Sequence, residues 1–176
     1  MSRVSGSQIS CLTLALALLS TPFLAAQQAK EAAPLPVQIA AAKRIFISNG
    51  GVDGNSLEAF RRTGGSDQPY NQFYNAMKGW GRYELVAAPA DADLVLEIRF
   101  AAPLTGCDKI CSYAPQLGLT ILDAKTHFTL WTLIEPVDGA FRKATWEKNF
   151  SKGMTNLMDD MRKLAGQHEA EEATKR

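Results

Sequence analysis

Leu94, Leu96, Ile98 and Phe100 alternate with Val95, Glu97 and Arg99 in DLVLEIRF, residues 93–100. A period of two sets the first group on one face of a strand and the second on the other, so one face is core and the other at least half polar. QLGLTIL (116–122) repeats the alternation, Asp123 to Thr126 makes a turn, and HFTLWTLI (127–134) returns, which predicts an antiparallel hairpin. Two shorter runs also read as strands: RIFISN (44–49), ended by Gly50 and Gly51, and the stretch from Arg82 to Val86.

The period lengthens to that of a helix in two places. Tyr70, Phe73, Tyr74 and Met77 recur on one face of a helix that starts near Pro69, with Asp67 as its cap and Gly79 and Gly81 as its stop. Within residues 141–165, Trp146, Phe150, Met154, Leu157, Met158, Met161 and Leu164 form a longer stripe, and Lys148, Lys152, Asn156, Asp159 and Lys163 lie away from it. That is an amphipathic helix lying on a sheet. A further short helix is expected from Ser56 to Arg62, where Asn55 and Glu58 resemble a capping box. The predicted class is α+β: a mixed or antiparallel sheet of about five strands, helices packed on one face, in the order β-α-β-β-β-β-α.

The chain ends read differently. Residues 1–26 carry one basic residue, Arg3, then an apolar run from Ile9 to Leu19 and small residues at Ala25 and Ala26, the layout of a secretory signal peptide cut after Ala26. The run is shorter than the roughly 20 residues a membrane span needs, and no second transmembrane candidate follows. Cys11 follows Gln8-Ile9-Ser10 and precedes the apolar run, so it does not sit in a lipobox. Residues 27–42 read as a flexible linker, 43–166 as a single domain and 167–176, with no apolar side chain larger than alanine, as a disordered tail. The expected location is the periplasm or outside the cell.

Export changes the chemistry available. Without Arg3 the chain keeps 18 basic and 18 acidic residues, a balance with no electrostatic footprint for nucleic acid or anionic lipid. Without Cys11 it keeps only Cys107 and Cys111, in GCDKIC, and an even pair in an exported protein points to a disulfide. A thiol redox centre favours the shorter C-x-x-C spacing at a helix start. A metal site wants more ligands than two thiolates and His127, the other histidine, His168, being in the tail. Between Pro103 and Pro115 the pair makes a rigid excursion carrying Leu104, Ile110 and Tyr113, which either presents these residues to a partner or folds back over the sheet end.

Trp131 and Leu133 share a strand face opposite Phe128 and Leu130. With helices on one sheet face only, they are expected to be exposed; with both faces covered, they are core. Trp131, Leu133, Ile110 and Tyr113 are therefore the candidate partner surface. Trp80 and Tyr83 fall beyond their helix, in an aromatic segment of the kind that stacks sugars or bases. The glycine-rich stretches 49–55 and 62–67 match no phosphate loop, and Asp53 with Asn55 lacks the spacing of a calcium loop. No G-x-S-x-G or H-E-x-x-H occurs, so no catalytic, cofactor or metal residue is named.

ADADLVLEIRF (90–100), then ILDAKTHFTLW (121–131) and a terminal amphipathic helix, resemble small bacterial cell-envelope domains of unknown function, commonly carried on lipoproteins. The layout over residues 43–165 is similar to the amino-terminal domain of the Tol translocation protein and to curli-secretion-type lipoproteins. The resemblance implies a non-enzymatic binding or assembly module with no cofactor, whose partner is another envelope protein or an envelope polymer. The alternatives are an envelope hydrolase whose carboxylates are brought together by the fold, and a thiol or metal protein centred on Cys107 and Cys111.

Overall fold

A computed structural model describes residues 34–54, 65–109 and 111–174, the side chains of 167–174 excepted. The expected signal peptide, most of the linker, the helix expected over 56–62 with its capping box, and Ile110 lie outside the described residues. Five strands form the main sheet: β1 (Arg44–Val52), β2 (Glu84–Leu85), β3 (Leu94–Ala101), β6 (Gln116–Asp123) and β7 (Thr129–Pro136). A separate two-stranded ladder joins β4 (Leu104–Cys107) to β5 (Cys111–Tyr113), and the helices are α1 (Val37–Ala41), α2 (Gln68–Trp80) and α3 (Lys143–Thr174). The order across the sheet is β2-β1-β3-β6-β7, with β1 parallel to β2 and β3, and with β3, β6 and β7 successively antiparallel. The mixed sheet with helices on one face, expected from the alternation, is the one that forms.

That face is the core. Ile45 and Ile47, Leu94 through Phe100 at every second position, and Leu117, Leu119 and Ile121 are buried on it, under the whole α3 stripe from Trp146 to Leu164 and Phe73 and Met77 of α2. Tyr74, expected in the α2 stripe, is half exposed instead. Gly153 lets α3 settle close: a Cβ there would stand 3.0 Å from Val137 Cγ2 and 3.6 Å from Leu117 Cδ1. Two N–H groups of the opening residues, Lys43 and Arg44, donate to Asp93 Oδ2 at 2.9 Å each, so the start of β1 is tied to the start of β3.

Several boundaries move, each for a local reason. β1 continues through Gly50 and Gly51 to Val52 by an irregularity between Asn49 and Val52; Gly50 is needed because a Cβ would meet Arg99 Cβ and Glu97 Cγ at 3.0 Å. β2 shrinks to two residues because the chain turns away into the 3-10 turn Pro89–Asp91. β7 begins at Thr129, because Asp123 Oδ1 accepts the N–H groups of Lys125 and Thr126 and the Thr126 hydroxyl, and His127 takes φ 60° to complete the turn. The fold starts before residue 43: Ile39 of α1 is 1% exposed in the core, an apolar side chain whose burial is favoured by roughly 2 kcal/mol. At the other end, the backbone of α3 stays helical to Thr174, in a segment rich in the helix-favouring residues Ala and Glu.

Candidate functional site: the stapled arm

β4 and β5 prolong the ladder between β3 and β6. The pairing of Ala101 with Gln116 continues as the Ala114 N–H donates to the Pro103 carbonyl at 3.0 Å and Leu104 pairs with Tyr113, all in one register. The register slips once, between Leu104 and Gly106, where the Thr105 hydroxyl donates to the Ser112 carbonyl at 3.0 Å. Cys107 then lies opposite Cys111, and the two are joined by a disulfide. At about 3.3 Å per residue, the stretch from Ala102 to Cys107 carries the arm roughly 20 Å past the sheet. Its base is held by Asp53, whose Oδ2 accepts the Ala102 N–H at 2.8 Å, and by the Val137 N–H, which donates to the Pro115 carbonyl at 2.8 Å.

Every residue of β4 and β5 is exposed, so the excursion does not fold back over the sheet end. Alternation puts Leu104 on the side of Phe100 and Ala102, and Tyr113 on the side of Leu117. Those inner residues are buried because α3 covers them; its first buried side chain, Trp146, packs edge-on against Phe100 at 5.8 Å between ring centroids. The helix does not extend over the arm. The core stripe therefore runs out into solvent, where Leu104 is 54% and Tyr113 47% exposed as direct cross-strand partners. Phe141, just before α3, is fully exposed as well.

The other expected surface residues sit elsewhere. Trp131 and Leu133 pair with Ile121 and Leu119 on the helix-covered face, half-buried against the core, although only one sheet face carries described helices. Alternation groups residues by face and does not say which face the helices choose; here Ile134, on the opposite side, is the exposed one. Of the four, the structure places Tyr113 on the arm, and Trp131 and Leu133 at a separate sheet edge. Leu104, one residue of the expected excursion, joins the site through its cross-strand position opposite Tyr113.

Trp80 and Tyr83 are likewise explained by packing. Their rings meet edge to face at 5.4 Å, the Arg162 guanidinium lies 5.8 Å from the Trp80 centroid, and Arg82 donates to the Ala165 carbonyl, joining the end of α2 to α3. Asp67 stands at the α2 N-terminus without a side-chain cap bond, and its Oδ1 accepts instead from Asn49 Nδ2 at 3.1 Å.

Four of the acids, Asp93, Asp123, Asp159 and Asp160, are engaged structurally. Asp159 and Asp160 pair with Arg162 at 2.7 Å and Lys163 at 2.9 Å on the outside of α3. The bond to Asp160 raises the Lys163 pKa. The backbone N–H groups of Arg44 and Lys43 hold the Asp93 carboxyl below the usual carboxylate range, and the Thr126 backbone N–H and hydroxyl do the same for Asp123. A cleft of about 340 Å³ beside α2 is lined by Tyr70, Tyr74, Phe46 and Leu85 among others, with no carboxylate or histidine among the described residues of its wall. Among the described residues no group of three or more His, Cys, Asp or Glu is placed to hold a metal ion, and no helix is long and apolar enough to cross a membrane.

No family model matches the sequence, and comparison with curated proteins gives no match. Solved structures of similar layout do exist. A PelC variant crystallised as a dodecamer, from Paraburkholderia phytofirmans, is 14% identical with a TM-score of 0.40, over 65% of this chain and 86% of its own. A proposed neuraminyllactose-binding hemagglutinin homolog from Helicobacter pylori is 9% identical with a TM-score of 0.46, over 74% and 90%. A lipoprotein from Neisseria meningitidis is 10% identical with a TM-score of 0.36, over 66% and 99%.

Proposed function

We propose that this chain is an exported, non-enzymatic binding or assembly module of the bacterial envelope, and that it engages its partner through the stapled arm. The observation that carries the reading is the Leu104–Tyr113 pair, held exposed on a ladder that continues the sheet and is closed by Cys107–Cys111. A rigid arm loses little conformational freedom on binding, so the area it buries is retained as affinity. An exposed aliphatic side chain opposite a phenol suits an apolar groove on another envelope protein, and the phenol also suits the face of an envelope polymer. The similarity to Tol-type and curli-secretion-type domains is in keeping with such a role. Export would remove the leader and place the cysteines where disulfides persist.

The test is photo-crosslinking in the exporting cell. A photoreactive phenylalanine analogue at Tyr113 should give an adduct of discrete mass, and the same probe at Lys152, on the exposed side of α3, should not. Leu104→Ser should lower the adduct yield about tenfold or more, the equivalent of losing a buried leucine contact of roughly 1.5–3 kcal/mol. Identical adduct patterns at Tyr113 and Lys152 would dispose of the reading.

A further inference from the structure

The aromatic segment that ends in Trp80 and Tyr83 begins with Tyr70 and Tyr74, and these two wall the cleft beside α2. Tyr70 rests against the core and Tyr74 is half exposed; their ring centroids stand 6.0 Å apart with the planes tilted by 38°. The remaining described wall is Phe46 and Ile47 of β1, with Leu85, Val86 and Ala87 where β2 ends.

The cleft opens because the β1–β2 ladder stops. Glu84 N–H donates to the Lys43 carbonyl and Val86 N–H to the Ile45 carbonyl, so alternate residues of β1 turn their backbone groups toward β2. β1 is regular as far as Asn49, and the alternation therefore includes Ile47. The next rung would join Ile47 N–H to the Val86 carbonyl. The pairing ends instead at Ile45 and Leu85, and the chain turns off into Pro89–Asp91. Ile47 and Val86 line the cleft, a backbone donor and backbone acceptors set beside two phenols.

The gap is one rung long. At Asn49, the next residue of β1 to face that way, the side chain donates to Asp67 Oδ1 at 3.1 Å and accepts the Gly51 N–H at 3.0 Å, which ties the start of α2 to the strand. An extended peptide, which gains its affinity from successive main-chain rungs, has no such row here. No charged side chain stands among the described residues of the wall, so a charged ligand would lose its water without gaining a counter-charge.

We infer that this cleft binds one or two rings of a neutral saccharide. Sugar hydroxyls both give and accept hydrogen bonds, which serves Ile47 N–H and the Val86 carbonyl together. The C–H face of a pyranose is weakly positive and rests on the negative π faces of Tyr70 and Tyr74, whose own hydroxyls add polar contacts. The cleft volume of about 340 Å³ lies near the lower end of the roughly 300–1,000 Å³ of small-molecule sites, which limits the bound part to a short unit. The inference shares with the proposed function only its envelope setting, so failure of the arm to crosslink leaves it standing.

NMR titration and calorimetry on the full chain test it, with the neutral disaccharides N,N′-diacetylchitobiose and cellobiose as probes. At least one should bind with a millimolar or lower Kd and shift the Ile47, Val86 and Ala87 amides, while those of Thr105 and Ser112 on the arm stay in place. Tyr74→Ala, at a half-exposed position, should weaken binding roughly five- to tenfold, and Tyr74→Phe, which keeps the ring, by no more than about twofold. Leu104→Ser should leave it unchanged. Binding of neither probe at millimolar concentration, binding that survives Tyr74→Ala, or shifts confined to other residues would overturn the inference. So would tighter binding of tetra-alanine than of either sugar, which would make the cleft a strand-pairing site.

Discussion

Asp93 shows how much one exposed side chain can organise. It accepts two backbone N–H groups from Lys43 and Arg44, and its Oδ1 lies 3.7 Å from the Arg44 guanidinium. The pairing partners lie about fifty residues away in the sequence, so nothing local in ADADLVLEIRF announces them. Its carboxyl is held below the usual range, which makes the contribution pH-dependent with a definite sign. It is complete above the unfolded carboxylate value of about 3.9 and is lost as pH falls through the still lower folded value. Asp93→Ala should cost about 1–2 kcal/mol near neutrality, solvent screening keeping it modest, and the gap to wild type in urea midpoints should close as the solution is acidified. Gly153 is a second residue whose role is invisible in sequence, since a glycine within a helical stripe reads only as a weak helix former. With Val137 Cγ2 at 3.0 Å from a Cβ, Gly153→Leu should lift α3 off the sheet and cost about 1–3 kcal/mol, read as a lower urea midpoint at unchanged slope.

At the scale of elements, the arm separates local from global stability. The disulfide closes only the short connection between Cys107 and Cys111, so Cys107→Ser with Cys111→Ser should cost at most about 2 kcal/mol, or roughly 4–8 °C in Tm. The larger effect should be on the arm itself: faster exchange of the Gly106 and Ser112 amides, and loss of the Tyr113 adduct while the core amides of β3 and β6 stay protected. The cysteine pairing could be argued from compartment and count. The ladder could not, because Pro103 and Pro115 read as strand breakers; only the common register of Ala101–Gln116 and Leu104–Tyr113 shows that pairing resumes beyond them. The two amphipathic helices were legible for the opposite reason, since their apolar spacing is repeated over several turns.

For the whole molecule, core and arm should be separable. Replacing Leu104–Tyr113 with Asn-Gly would close Pro103 to Ala114 as a two-residue hairpin loop, at a pair that is already hydrogen-bonded. Because every residue of β4 and β5 is exposed, stability should change by no more than about 1 kcal/mol by thermal or urea unfolding, while the Leu104 and Tyr113 contacts to a partner are lost entirely. Unfolding of the chain along with the arm would instead show that the ladder organises the sheet.

The sequence by itself determined the long elements, β3, β6, α2 and α3, and which of their apolar side chains share a face. A strand of period two and a helix of period 3.6 must each bury their apolar side, and that requirement is local. It also pointed to the pairing of Cys107 with Cys111, the third cysteine, Cys11, lying in the segment that reads as a leader. Only the tertiary structure decided which sheet face α3 covers, and with it that Trp131 and Leu133 lie half-buried while Ile134 faces water. Only the tertiary structure left β7 at an edge and carried Leu104 and Tyr113 past the end of their helix. Exposure is a property of neighbours distant in the chain, and the alternation along a strand is the same whether or not a helix arrives to cover it.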